Sequence, residues 1–301
     1  MKLGQKPATI AEINRETDFY KKQSPELSDL FDLYRSLFAV ELSYLPKIKP
    51  KVKKPKEEKA NKSIDEGDHL LDTKSIYVKS DLFRVVISDI CAIIEEKSPE
   101  FKKVLDAFLS HADLNPKNKK ETPPFIENLQ AFKTEYFTKL AEAISLNAEV
   151  LFFIAYHAIS PFVEKASFVF RDSFDYSRWE RSICPICGRK PAMAMLSKEN
   201  GLRILQCSLC RSWWSYPRLK CVVCGNDNDE TLEYFYARED EAHRVNVCNK
   251  CKKYIKTTDA RELDRDINLE VEDLATFYLD VVAKERGYTS AGRITFATRI
   301  E

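Results

Sequence analysis

Four Cys-x-x-Cys pairs lie within 68 residues of this 301-residue sequence, separated by 19, 10 and 23 residues. They are, in chain order, Cys184/Cys187, Cys207/Cys210, Cys221/Cys224 and Cys248/Cys251. A turn of this kind directs two thiolates at one ion, and a tetrahedral sulfur site uses two such turns. A single turn would also suit a redox dithiol, but four closely spaced turns predict two metal sites.

The residue after each pair and the segments between the pairs predict which turns share an ion. Gly188 and Gly225 follow the first and third pairs, and glycine there tolerates the positive φ that points N–H groups at sulfur. Predicted β-hairpins lie between the first and second pairs, around an Asn-Gly turn at 200–201, and between the third and fourth. Pairing first with second and third with fourth lets each unit close its own loop, so this order is favoured over an interleaved one.

The sequence therefore predicts two rubredoxin-like (zinc-ribbon) modules in tandem. Four thiolates accept iron or zinc, so two Fe or Zn ions per chain are expected. Such sites leave no open position for a substrate, and no catalytic residues are predicted. Iron redox chemistry, or exchange of a ligand, is the alternative for these cysteines. Cys91 and His157 lie in apolar helical stretches and are expected in the core, and His243 forms no ligand pair with a cysteine.

Composition narrows the class of protein. Lys and Arg number 48 and Asp and Glu 47, so no global field favours nucleic acid or an anionic membrane. Hydrophobic residues at 44% can form a core, and only 7 glycines in 301 residues favour helices over a turn-dense β fold. The longest strongly apolar stretch, 150–159, is about half of what a membrane span needs. Reduced thiols and no export signal predict a cytoplasmic protein without a membrane span.

Apolar periodicity and Ser-Pro or Thr-Pro pairs predict a series of helices in the first half of the chain. Their expected ranges are 8–20, 25–44, 80–97, 99–112, 123–145, 148–159 and 161–173. Near the carboxy terminus, apolar residues at helical spacing from Leu269 to Val282 predict one amphipathic helix that stops at Gly287.

The predicted fold class is α+β, with an all-helical amino-terminal domain, the two metal modules and a carboxy-terminal helix. The expected boundaries are 1–178 for the helical domain, with a Lys/Pro-rich linker at 46–66, then 179–218 and 219–262 for the ribbons, and 263–301 for the final helix and tail. All three tryptophans lie near the ribbons, where they are expected to bridge ribbon to ribbon, a partner contact being the alternative.

Five segments of the sequence resemble the formate dehydrogenase accessory proteins of the FdhE type. They are SICPICGRKPAMA, GLRILQCSLCRSWW, RLKCVVCG, VCNKCKKYIKTTD and LEVEDLATFYLDVVAKERGY, within residues 181–288. The resemblance implies a cytoplasmic maturation factor and not an enzyme. It implies binding to the catalytic subunit of a molybdenum or tungsten formate dehydrogenase, which needs the factor for activity.

By position, the resemblance also implies rubredoxin-like iron or zinc on all eight paired cysteines. A nucleic-acid-binding zinc ribbon and a thiol, iron-redox or sulfur-transfer protein are the alternative functions. If the ribbons recognise a client, we expect its contacts on aromatic and basic ribbon residues, because such side chains anchor most interfaces. The expected contact residues are Arg203, Arg211, Trp214, Arg218 and Tyr254.

Overall fold

The computed structural model describes residues 8–111, 122–171, 173–237 and 240–292, and it confirms the α+β class. Among these residues, no helix is both long and apolar enough to cross a membrane. The helices are α1 Ile10–Gln23, α2 Ser28–Tyr44, α3 Glu57–Glu66, α4 Ser80–Lys97, α5 Lys102–His111, α6 Pro124–Gln130, α7 Thr134–Ala143, α8 Ala148–Arg171, α9 Leu269–Ala275 and α10 Phe277–Glu285. The strands are β1 Pro191–Leu196, β2 Arg203–Cys207, β3 Trp213–Ser215, β4 Leu232–Tyr236, β5 His243–Cys248, β6 Lys253–Asp259 and β7 Thr289–Ser290.

The described residues fall into two compact units. The helical unit takes Ser24–Lys53 and Asp72–Ala166, and the ribbon unit takes Lys54–Leu71 with the described parts of Met1–Gln23 and Ser167–Arg293. The domain boundaries given above from the sequence, after residues 178, 218 and 262, stay predictions. Within the predicted linker, Glu57–Glu66 form α3, whose Ala60 and Ile64 are buried. The predicted tail beyond residue 292, and residue 112 of a predicted helix, lie outside the described residues.

The helical unit has an aromatic core. The ring of Phe125 lies 5.3 Å from that of Phe137 and 5.7 Å from that of Phe108, and all three side chains are fully buried. His157 is a core histidine, as expected, because its Nδ1 lies 2.5 Å from Oε1 of buried Glu41. These contacts give the helical unit its own hydrophobic centre.

Besides shifts at several helix ends, three divisions between helices differ from the prediction. The expected helix 123–145 breaks into α6 and α7 because Phe132 adopts a φ of 52°. The expected break at Pro161 is absent, since α8 runs continuously through it, and burial on most sides outweighs the hydrogen bond that proline removes. The single carboxy-terminal helix is α9 and α10, divided at Thr276, whose hydroxyl bonds the carbonyl of Glu272 at 2.7 Å.

The ribbon unit is built on one seven-stranded sheet in the order β3-β2-β1-β6-β5-β4, with β7 beside β6. Neighbouring strands are antiparallel except that β1 runs parallel to β6, with Ala194 opposite Thr257, and β6 runs parallel to β7. The two hairpins lie where the sequence predicted them, but the first turn spans residues 197–202 and is not a two-residue Asn-Gly turn. The two ribbons therefore share one sheet.

Candidate metal centres

The structure gathers the eight paired cysteines into two groups in chain order. We call Cys184, Cys187, Cys207 and Cys210 the first cysteine cluster, and Cys221, Cys224, Cys248 and Cys251 the second cysteine cluster. In each cluster all four Sγ atoms lie within 4.8 Å of one another. All are free thiols, so no pair forms a disulfide. The first cysteine pair thus shares a cluster with the second, and the third with the fourth, which is the order that the sequence favoured.

The sulfur spacing fits a tetrahedral ion. Between the two pairs of each cluster, Sγ atoms lie 3.4 and 3.6 Å apart in the first cluster and 3.7 and 3.8 Å apart in the second. Four sulfurs at about 2.3 Å from one ion are separated by about 3.8 Å. Each cluster could hold one metal ion without a change of fold.

The same backbone turn recurs at the cysteine pairs. The N–H of the first cysteine donates to the carbonyl five residues later at 2.7 Å for Cys184 and Cys221, and at 2.9 Å for Cys207. Gly188 and Gly225 have φ of 74° and 69°, as the sequence indicated, but Arg211 and Lys252 at the other two turns also have φ of 56°. A glycine and a basic residue therefore adopt the same backbone conformation after a cysteine pair. In this turn backbone N–H groups approach sulfur: the N–H of Leu209 donates to Cys207 Sγ at 3.4 Å.

The first cysteine cluster is enclosed by its own unit. Its four cysteines are between 0% and 5% exposed. The backbone of residues 70–71 donates to the carbonyls of Pro185 and Ile186 inside the first turn, at 3.1 and 2.7 Å. Trp179 and Trp214 donate their indole N–H groups to the carbonyls of Ile183 and Arg181. The buried tryptophans thus fix the backbone that leads into Cys184.

A buried arginine accompanies the first cluster. Arg171 donates from Nε to Ser212 Oγ at 3.0 Å and from its other nitrogen to the carbonyl of Cys210. The same Ser212 Oγ also accepts from Cys210 Sγ, 3.2 Å away. Burial raises the pKa of Cys184 and Cys187, whereas the neighbouring thiols and Arg171 outweigh burial and lower the pKa of Cys210. The surroundings thus favour a thiolate at Cys210.

The second cysteine cluster is more open. Cys224 is exposed and Cys251 half-buried, whereas Cys221 and Cys248 are buried. The segment before Cys221 is held by Arg203 of β2, which donates to the carbonyls of Pro217 and Lys220 and lies over the Tyr216 ring. Burial lowers the pKa of Arg203 to about 10, and the Cys221 thiolate and Tyr216 oppose that shift. A residue of the first ribbon thus positions a turn of the second.

Most of the residues expected to contact a client are internal, and that expectation is wrong for them. Arg203, Trp214 and Tyr254 are 5%, 1% and 6% exposed. The side chain of Arg211 is also largely covered and pairs with Glu270. Of the five, Arg218 alone is exposed. Aromatic and basic side chains in this region therefore support the sheet from within, next to its apolar core.

A buried ionic cluster that the sequence did not indicate centres on His243 of β5. Its Nδ1 lies 2.8 Å from Asp240 and its Nε2 2.6 Å from Glu272 of α9, which also accepts from Tyr20 of α1 at 2.6 Å. Burial would lower the pKa of His243, but the two carboxylates raise it to about 9. Arg265 also donates to Glu272, at 2.7 Å. This charged cluster joins the second ribbon to α1 and α9. Its residues lie far apart in the sequence and form no local motif, so sequence reasoning could not find it.

Comparison with known proteins places both cysteine clusters inside matched regions. Residues 183–218 match the family domain described as "FdhE, central domain", and residues 219–296 match "FdhE, C-terminal domain". The "Protein FdhE homolog" of Aquifex aeolicus is 32% identical over 173 residues, which are 56% of this chain and 60% of that protein. The homologue of Edwardsiella ictaluri is 35% identical over 112 residues, 36% of this chain and 35% of that protein. These matches span less than two thirds of either relative.

One solved structure shares the fold over nearly the whole chain. It is described as "The crystal structure of the FdhE protein from Pseudomonas aeruginosa", with a TM-score of 0.64 and coverage of 97% of each chain. The sequences are 20% identical, so this likeness concerns the fold alone.

Proposed function

We propose that this chain is a formate dehydrogenase accessory factor of the FdhE type, because residues 183–296 match two FdhE domains. In this proposal it binds the catalytic subunit of a molybdenum or tungsten formate dehydrogenase in the cytoplasm and is needed for that subunit to become active. The observation that carries the proposal is the coincidence of the matched residues with both cysteine clusters.

The proposal includes one iron or zinc ion in each cluster, with Cys184, Cys187, Cys207 and Cys210 as one ligand set and Cys221, Cys224, Cys248 and Cys251 as the other. When bound, such an ion ties two turns together and stabilises the fold. Four protein sulfurs leave no position for a substrate, which supports recognition without turnover. The near-neutral charge disfavours the nucleic-acid alternative.

One observation favours a second candidate function. Cys224 is exposed, and a thiolate at the surface can exchange or react where a buried one cannot. A redox or sulfur-transfer role would therefore reside in the second cluster. Alkylation of the metal-loaded protein tests it: a resident ion protects Cys224, whereas a reactive thiol is modified at once while the metal content falls.

The main test uses deletion and binding. Cells lacking the protein should contain formate dehydrogenase polypeptide that is inactive, and another molybdenum enzyme of the same cells should stay active as the control for cofactor supply. Purified protein should capture the purified catalytic subunit without consuming formate. Normal formate dehydrogenase activity in the deletion strain, or absence of binding, would contradict the proposal.

A further inference from the structure

Strand β4 forms one end of the sheet. Among the described strands it pairs only with β5, with Leu232 opposite Cys248 and Tyr236 opposite Arg244. The opposite end, β3, has three residues, whereas β4 has five. An unpaired strand of this length presents a row of backbone donors and acceptors to other chains.

The hydrogen-bond register shows which peptide groups of β4 point outward. Asn249 N donates to Thr231 O at 2.8 Å, so residues 231, 233 and 235 exchange bonds with β5. The bond from Asp259 N to Ala242 O fixes the same alternation on the other side of β5. The N–H and C=O groups of Leu232, Tyr234 and Tyr236 therefore face away from the sheet.

The two faces of β4 differ. Phe235 packs toward α10 with the core residues Val245 and Val247, and Arg286 lies 4.2 Å above its ring. On the other face, Tyr234 and Tyr236 are 56% and 49% exposed, with stacked rings 6.3 Å apart. The outward backbone groups thus belong to the same residues as an exposed aromatic pair, a combination suited to main-chain pairing with side-chain recognition.

Charge indicates what kind of segment would fit. Four exposed carboxylates lie at the start of β4 or in the turn before it: Asp227, Asp229, Glu230 and Glu233. Glu233 accepts from Asn249 at 2.6 Å, and within the described part of the chain no ion pair involves Asp229 or Glu230. Arg244 of β5 already lies 5.3 Å from the centre of the Tyr234 ring, so a strand carrying Lys or Arg would place its charges against this acidic end and a stem on the Tyr236 ring.

We propose that an extended, basic segment of the client polypeptide binds as an added strand along the outer side of β4. This inference rests on the proposed function, since it assigns a docking place on the accessory factor. The segment bonds to the outward backbone groups of Tyr234 and Tyr236, and its basic side chains face the acidic start of the strand.

Tyr234→Pro tests the backbone bonds directly. Proline removes an N–H that faces outward and leaves the β4–β5 ladder intact, so the variant should fold with unchanged circular dichroism and metal content. Its affinity for the purified catalytic subunit should fall about tenfold or more. Tyr234→Ala keeps the N–H and should lose less. Tyr77 of the helical unit is 49% exposed, as Tyr236 is, so Tyr77→Ala is the control for Tyr234→Ala and should bind normally.

Two further variants keep the test decisive if Tyr234→Pro does not fold. Tyr236→Pro removes the next outward N–H, and Asp229→Lys with Glu230→Lys reverses the charge without touching the strand. Each should weaken binding, the charge reversal most at low salt. If wild type binds and these folded variants bind equally well, the docking site is overturned while the proposed function stands. If wild type itself binds no catalytic subunit, both are overturned.

Discussion

The first and second cysteine clusters repeat one turn geometry at different depths. In the first, every cysteine is buried beneath residues 70–71, two tryptophans and Arg171 of α8. In the second, Cys224 is exposed and Arg203 of the neighbouring ribbon supports one turn. The Cys-x-x-Cys motif therefore determines how the four sulfurs are arranged, whereas segments outside the motif determine how deeply they are buried. Burial in turn sets the stability of each metal site and the rate at which its ion exchanges.

The largest expected effect comes from removing one ligand in each cluster. Cys187→Ser should destabilise the whole ribbon unit, because the first cluster lies beneath segments from several elements; a structural zinc site contributes about 10 kcal/mol or more. Cys224→Ser should lose one ion and keep most of the sheet. Metal analysis with thermal unfolding measures both. Equal losses in the two variants would show that burial does not separate the clusters.

Metal release should sharpen the comparison. With a chelator in excess, one ion should leave from the exposed cluster about a hundredfold faster than the other. Iodoacetamide should then label Cys224 before any cysteine of the first cluster, as mass spectrometry of peptides can show. Release of both ions in a single kinetic phase would show that burial does not make the two clusters exchange metal at different rates.

The second ribbon should also respond to pH through His243. Its pKa is about 9 in the folded protein against an ordinary 6.5, so its contribution to stability is complete below pH 6.5 and is lost as pH rises through about 9. The loss should be of the order of 3 kcal/mol and absent in His243→Gln. Denaturant unfolding across this range measures it. A variant with the wild-type pH profile would assign the dependence to another group.

The smallest expected effect concerns the arginines. Arg203→Met should lower zinc affinity of the second cluster about tenfold and leave the first unchanged, and Arg171→Met should do the reverse. Arg203→Lys keeps the charge and should recover part of the loss. Competition with a metal indicator, and the absorption of cobalt-substituted protein, separate a change at the site from general unfolding. Equal effects on both clusters would contradict the assignment.

Sequence reasoning located the local features and missed the ones that depend on distant partners. The spacing of the cysteines predicted their grouping, and the alternating stretches predicted both hairpins, because turns and hairpins are set by near neighbours. Strand β6 was not predicted, although Tyr254, Ile255 and the threonines after them favour a strand. Its pairing with β1 joins residues about 60 positions apart, a distance over which local patterns carry no information.

Burial was the least predictable property. Lys256 is 2% exposed because its ammonium bonds Asp273 and Asp280 at 2.8 and 2.7 Å. Arg203 is buried by carbonyl groups of a loop that the sequence does not single out. Arg203, which the sequence placed among the client-contact residues, therefore lies inside the ribbon unit beside apolar side chains.

The parallel pairing of β1 with β6 has a consequence for synthesis on the ribosome. The first cysteine cluster is complete once residue 210 has emerged, yet the outer side of β1 stays open until residues 257–259 follow. During that interval the nascent first ribbon exposes an unpaired strand, and pairing between distant segments forms slowly. A chain stopped between residues 220 and 250 should therefore be prone to aggregate, whereas one extending past Asp259 should not.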